Sequence, residues 1–310
     1  MKLAMIFPGQ GAQSVGMMDA LAAEFPQVRA RFEVASAVLG FDLWALVHEG
    51  PAETLNATSN TQPALLAASV AIWDIWLAEG GARPSLLAGH SFGEYSALVC
   101  AGALEYSDAV ALVAARGRFM QEAVVPGAGA MAAVLGLDLP VLLEVCREAG
   151  AAGIAQCANL NAPGQVVLSG DTAGVARAGE LAKARGAKKV IPLSVSVPAH
   201  CSLMAPAAIH YRQRVEATRF SPPQIPVIHN VDVSAHSDPD EIREVLIAQL
   251  AHSVRWQETI ERFAAEGVTH AFECGPGKVL GPLVKRCASG MATASLATPD
   301  DLRNALNIGA

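Results

Sequence analysis

The chain has 310 residues, 52% of them hydrophobic and 16% charged, with a formal net charge of −7. That length holds one large domain or two smaller ones around a sizeable apolar core, and the acidic balance without a long basic run argues against nucleic acid as a substrate. Six cysteines (Cys100, Cys146, Cys157, Cys201, Cys274, Cys287) form no C-x-x-C pair and no metal-like spacing with histidine. They read as reduced core residues of a cytoplasmic protein, with no metal site. No basic-then-apolar leader opens the chain, and no apolar stretch of about 20 residues is free of polar interruptions. Neither a signal peptide nor a transmembrane helix is expected.

Residues 3–7 are a continuous apolar run, the pattern of a strand buried on both faces. The run breaks at Pro8-Gly9-Gln10-Gly11. Such a loop is either a tight turn or an anion cradle of backbone N–H groups, and it lacks the further glycines or G-K-[ST] of nucleotide fingerprints. Residues 18–39 are helical by period. Residues 58–63 read as a polar turn that opens a long helix, 64–79, with Pro63 suited to its first turn. Trp73 and Trp76, three apart on that helix, belong to the core.

Residues 84–88 form a short apolar lead into Gly89-His90-Ser91-Phe92-Gly93, and a helical run follows from 94 to 102. Strand, glycine-flanked turn and helix are the setting in which G-x-S-x-G marks a nucleophile. The glycines admit strained backbone where side chains would collide, and the helix N-terminus points its amides at the reacting oxygen. Without a base in reach, the same stretch is an ordinary strand-to-helix turn with Ser91 as helix N-cap.

A second helix covers 107–122. Arg116 sits in it among small and apolar neighbours, Ala114-Ala115-Arg116-Gly117. It is either a surface charge or a buried guanidinium awaiting a carboxylate. The texture then changes: strand 128–135, helix 140–149, strand 154–160, strand 165–169, helix 171–185, strand 188–193. This βαββαβ order is that of a ferredoxin-like unit. Residues 126–194 therefore read as a small domain inserted into a large one made of 1–125 and 195–310, with junctions at Pro126-Gly127 and Ser194-Val195-Ser196.

His200 follows a strand-like, proline-broken run and precedes a helix at 203–220. A histidine at a strand end is well placed as the base that a serine nucleophile needs. His90, beside the nucleophile, is expected to turn its ring away. Further strands at 226–231, 270–274 and 292–296 alternate with helices. The large domain is thus α/β, with a parallel three-layer core of the α/β-hydrolase kind. None of the aspartates before His200 stands out in the place that the Ser-Asp-His order would require, which speaks against an ordinary esterase. A backbone carbonyl or a side-chain amide can orient the ring instead.

Seven stretches carry a family pattern: FPGQGAQ at 7–13, TQPAL at 61–65, GHSFGEYSAL at 89–98, RGRFMQEA at 116–123, NAPGQVVLSG at 161–170, SVPAHC at 196–201 and GPGKVL at 275–280. In this order, nearly end to end, the chain resembles the malonyl-CoA:acyl carrier protein transacylases of bacterial type II fatty acid synthesis. The resemblance implies an acyltransferase that carries malonyl on Ser91, with His200 as base and then acid. It implies an oxyanion hole from the backbone N–H groups of Gln10 and Phe92, and an Arg116 fork for the malonyl carboxylate. The Gln249 carbonyl would orient His200, and Gln62, Asn161 and Gln165 would line the pocket or the cleft toward the small domain. The implied substrates are malonyl-CoA and a phosphopantetheinylated acyl carrier protein, with no bound cofactor. Phe92 stands where many members carry Leu, and Ala199 where Ser is common.

A monomer that contacts neither nucleic acid nor membrane is expected. An acidic carrier would need a basic patch, for which Lys183, Arg185, Lys188, Lys189, Lys285 and Arg286 are candidates. The alternatives are a malonyl transferase of a malonate decarboxylase or polyketide system and, less well supported, a serine hydrolase.

Overall fold

A computed structural model describes residues 1–195 and 197–309. Ser196, which ends the expected second junction and opens the SVPAHC stretch, lies outside the described residues, as does Ala310. The chain begins with β1 (Leu3–Phe7), then α1 (Asp19–Glu24), α2 (Pro26–Leu39), α3 (Leu43–Glu49), α4 (Ala52–Asn56) and α5 (Thr58–Ala78). Next come β2 (Leu86–Gly89), α6 (Gly93–Cys100) and α7 (Tyr106–Glu122). The middle holds β3 (Gly129–Leu135), α8 (Leu139–Ala149), β4 (Ala155–Ala162), β5 (Gln165–Asp171), α9 (Thr172–Ala184) and β6 (Lys189–Pro192). The rest comprises α10 (Ala205–Glu216), β7 (Val227–Ile228), α11 (Pro239–Ala248), α12 (Trp256–Ala265), β8 (His270–Glu273), α13 (Leu280–Cys287), β9 (Ala292–Ser295) and α14 (Pro299–Gly309).

Five strands pair in the order β7-β2-β1-β8-β9, all parallel. β1 is central and buried throughout. Leu3, Met5 and Phe7 face one apolar layer, and Ala4 and Ile6 face the other. That alternation follows from the period of two along a strand. It explains why the run reads as uniformly apolar: helices cover both faces. The other four strands form an antiparallel sheet in the order β4-β5-β3-β6. Val134, Val166 and Leu168 on one face pack with residues of α8 and α9. Met131, Ala158 and Val167 on the other face meet Leu193, Val195 and Ala199. β4 of this sheet also packs against α12 and α13.

Several expected boundaries move, each for a local reason. The run 18–39 is two helices, because Pro26 has no N–H to continue α1 and instead starts α2 at its first position. α5 begins at Thr58, with Pro63 inside it. The residues that look like a turn bond back to the preceding chain: Asn60 Nδ2 donates to Thr54 O at 2.9 Å and Thr61 Oγ1 to Leu55 O at 2.6 Å. The strand expected over 226–231 shrinks to Val227–Ile228. α10 ends at Glu216 and is preceded by a 3-10 turn at Ser202–Met204. α5 is long and apolar enough to cross a membrane, but 83% of its most apolar window is buried inside the fold. It is the core helix against which α2 and α7 pack.

Candidate active site

A cavity of about 360 Å³ opens beyond the carboxyl ends of β1 and β2. Ligands of open parallel sheets bind at this end of the strands. Its walls include Gln10, Gln62, His90, Ser91, Phe92, Arg116 and His200, and the second sheet contributes Met131 and Asn159.

Ser91 tops the turn between β2 and α6 with φ +54°, a left-handed conformation that non-glycine residues seldom adopt. Its flanking glycines are a packing necessity. A Cβ on Gly89 would lie 1.9 Å from the Gly93 carbonyl carbon, and one on Gly93 would lie 2.5 Å from Phe7 O.

His200 Nε2 stands 2.7 Å from Ser91 Oγ, and His200 Nδ1 donates to Gln249 O at 2.8 Å. The second bond places the proton on Nδ1 and leaves the Nε2 lone pair for the serine O–H. No strand leads into His200 among the described residues; it lies in a turn with φ +61°, pinned by its own N–H to Leu250 O at 3.1 Å. Burial is the main cause that lowers its pKa to about 3, and the positive charge of Arg116 adds to it, while the Gln249 carbonyl opposes both. The ring rests neutral, the state in which Nε2 can accept a proton.

Arg116 is buried, only 1% exposed. Gly117 lets α7 approach α5 closely, since a Cβ there would lie 2.6 Å from Ser59 Cα. The guanidinium donates from Nη1 to Gln62 Oε1 at 3.0 Å, and from Nη2 to Gln249 Oε1 at 2.9 Å and to Ser91 Oγ at 3.3 Å. Its Nε has no partner, and among the described residues no carboxylate comes within ion-pair distance. A buried cation held by two neutral amides and a hydroxyl is costly and is poised for an anion.

Gln249 joins these groups. Besides its bonds to Arg116 and His200, its Nε2 donates to Ser91 O at 3.0 Å and to Glu94 Oε2 at 2.9 Å. Glu94 is fully buried and also accepts from His229 Nδ1 at 2.6 Å. Neither Glu94 nor Asn230, which contacts both Gly89 and Ser91, was among the expected site residues. The available signal was an acidic residue in the first turn of an otherwise apolar helix.

Gln10 and Phe92 line the cavity, and among the described residues neither main-chain N–H donates a backbone hydrogen bond. Thr58 Oγ1 donates to Gln10 Oε1 at 3.2 Å and accepts from Gln62 Nε2 at 3.0 Å. Asn161 acts indirectly: its Oδ1 accepts from His90 Nε2 at 2.8 Å. His90 is among the wall residues, and its ring is held by Asn161 and packs edge-on to Trp256.

Gln165 does not reach the cavity. It starts β5 at the end remote from the cavity and accepts from Arg286 Nη1 at 2.5 Å. Of the candidate basic patch, Arg185 is paired with Glu144 and Glu148 at 3.0 and 2.7 Å, and Arg286 is occupied by Gln165 and Pro163 O. Lys183, Lys188, Lys189 and Lys285 are exposed. Among the described residues no cluster of His, Cys, Asp or Glu could hold a metal ion.

Residues 4–297 match the acyl transferase domain family. The chain belongs to the acyl transferase family. Within that family it is 50% identical over 305 residues to a malonyl CoA-acyl carrier protein transacylase of Salmonella typhimurium, covering 98% of this chain and 99% of that one. The transacylase of the same name from Bacillus subtilis is 45% identical over 306 residues, covering 98% and 96%. Among solved structures, a malonyl-transacylase in complex with its type II polyketide acyl carrier protein superposes with TM-score 0.98 at 49% identity, covering 99% of this chain and 100% of that one. The malonyl CoA-acyl carrier protein transacylase of Coxiella burnetii does so with TM-score 0.98 at 45% identity, covering 100% and 98%. An acyl transferase needs a nucleophile, a base, an oxyanion site and an acyl pocket, and the cavity offers candidates for each.

Proposed function

We propose that this acyl transferase moves malonyl from malonyl-CoA to the phosphopantetheine thiol of holo acyl carrier protein through an ester on Ser91. Ser91 Oγ attacks the thioester carbonyl as His200 Nε2 takes its proton. The Gln10 and Phe92 N–H groups hold the oxyanion, the carbon–sulfur bond breaks, and His200 returns the proton to the departing coenzyme A sulfur. The carrier thiol then attacks the ester, with His200 as base again, and Ser91 is regenerated. Both half-reactions use one oxyanion site, so the kinetics are ping-pong. The Gln249 carbonyl supports the imidazolium that forms in each transition state. No cofactor is required beyond the two substrates.

One observation carries the malonyl assignment: Arg116 is a buried guanidinium with no carboxylate partner among the described residues, 3.3 Å from Ser91 Oγ. An acyl group ending in a carboxylate supplies the missing charge, and acetyl does not. An esterase acting on neutral acyl groups would gain nothing from it. When the carboxylate docks, part of the field that lowers the His200 pKa is cancelled, so the base strengthens as the correct substrate binds.

The test is intact mass after incubation with malonyl-CoA, followed by addition of holo carrier protein. Wild type gains one malonyl group and loses it to the carrier, and Ser91→Ala gains none. An adduct on Ser91→Ala, or loss of the adduct to water as fast as to the carrier, refutes the proposal. Fatty-acid and polyketide carriers present the same thiol, and assays with each rank them as acceptors. We assign the chain to the cytoplasm, supported by its six free cysteines. We take 126–194 as the inserted unit, supported by the confinement of the antiparallel sheet to Gly129–Pro192.

A further inference from the structure

β7 is the shortest strand of the parallel sheet. It pairs Val227 with Leu87 and Ile228 with Ala88, and Leu87 N donates to Pro226 O at 2.9 Å. Two residues further in that register, residue 230 stands opposite His90. In a parallel ladder, a residue opposite His90 bonds Gly89 O and Ser91 N with its own peptide groups. The backbone leaves the sheet first: His229 opens a turn, with Val233 N donating to His229 O at 3.1 Å and His229 N to Ser234 O at 2.9 Å. The Asn230 peptide groups go elsewhere, its N–H to Glu94 Oε2 at 2.9 Å and its carbonyl to Arg255 N at 3.1 Å. Its side-chain amide makes both missing ladder bonds. Nδ2 donates to Gly89 O at 2.7 Å, and Oδ1 accepts from Ser91 N at 2.7 Å.

We infer that Asn230 is a positioning residue for acyl transfer: its amide replaces the absent peptide group of β7 and locks the nucleophile turn from the sheet side. The inference rests on Ser91 being the nucleophile. Asn230 ties the peptide before Ser91, and Gln249 Nε2 ties the carbonyl after it. With both peptide planes held, the left-handed turn has one orientation, which aims Oγ at His200. The Ser91 N–H is also consumed, so an oxyanion must draw its donors from Phe92 and from the Gln10 loop. Only a primary amide offers a donor and an acceptor in this spacing. A carboxylate turns a lone pair toward Gly89 O, and an apolar side chain leaves two buried groups unpaired. The Asn230 main-chain N–H also bonds Glu94, which accepts from Gln249 Nε2, so the two ties on Ser91 belong to one network.

The test uses the full-length protein with Asn230→Ala and Asn230→Asp, and reads kcat, KM for malonyl-CoA, the single-turnover rate of malonyl-Ser91 formation, and the melting temperature. Asn230→Ala is expected to lower kcat and the acylation rate on the order of 10²-fold, the scale of a small misplacement of a reacting group. KM changes less than about threefold, because Arg116 and the cavity wall are untouched. Asn230→Asp keeps the shape and the acceptor for Ser91 and loses the donor to Gly89, and it slows acylation with the same split. Assays run well below each melting transition. Wild type run alongside separates the two claims: absence of an adduct on wild-type Ser91 refutes the nucleophile, and normal acylation by the variants refutes the positioning role. If Asn230→Ala melts below the assay temperature, Asn230→Asp decides. A kcat within threefold of wild type, or a loss that falls equally on KM, overturns the inference.

Discussion

Replacing Arg116 by alanine isolates the origin of acyl selectivity. The guanidinium is 1% exposed, and its protein partners are two neutral amide oxygens and a hydroxyl. Removing one member of a buried ion pair costs about 3–5 kcal/mol. At about 1.4 kcal/mol per tenfold, malonyl kcat/KM should fall roughly 10²-fold to a few times 10³-fold. Acetyl transfer should rise in the same variant, because acetyl leaves the wild-type cation unpaired in the closed site. Arg116→Lys keeps the charge but not the planar fork, so its malonyl loss should be smaller and some discrimination should survive. The assay is kcat/KM for malonyl-CoA and acetyl-CoA with one holo carrier protein, compared as a ratio. A malonyl preference in Arg116→Ala within threefold of wild type refutes the argument, because the selectivity would then reside in the shape of the cavity.

Three more outcomes follow from the same geometry. His200 has its pKa depressed from 6.5 to about 3. Between those values the unfolded chain binds a proton that the folded chain does not. Stability should therefore fall as pH drops from about 6.5, by up to about 1.4 kcal/mol per pH unit from this group. Melting curves of wild type and His200→Gln between about pH 4 and 8 test this, and equal slopes refute it. In activity, the acid limb of kcat/KM should lie below the ordinary histidine range and move up in Arg116→Ala, where one lowering cause is gone. Gly89→Ala places a Cβ 1.9 Å from the Gly93 carbonyl carbon, where only backbone could yield. A loss of more than about 4 kcal/mol is expected, and urea unfolding within about 1 kcal/mol of wild type refutes it.

The parts of the site that were legible beforehand are local. G-x-S-x-G announces itself because the two glycines and the serine must share one turn, and five consecutive residues suffice to encode it. The β1 run and the βαββαβ order are legible for the same reason, through period and punctuation. Arg116 stayed undecided, since a helical window cannot say which neighbour covers a face. The close pass of Gly117 against Ser59 packs α7 on α5, and Arg116 is thereby a buried cation on the cavity wall. Gln165 misled because it lies in a family stretch. It shares the face of Val167 but starts the strand, where that face meets α13 and not the cavity.

Glu94 and Asn230 escaped notice because hydrogen bonds across more than a hundred residues leave no pattern in any window. His200 was expected at a strand end, yet its left-handed turn is set by Leu250 and Gln249, about fifty residues on. Legible in the sequence by itself were the sheet, the βαββαβ order, the G-x-S-x-G turn and the candidates for a base and a cation, all properties of short spacing. Tertiary structure alone decided the tautomer and the depressed pKa of His200, the missing counter-charge of Arg116, and the Asn230 amide that completes the strand. Those depend on segments that burial brings together, and the field at a buried atom comes from every group around it, not from its neighbours along the chain.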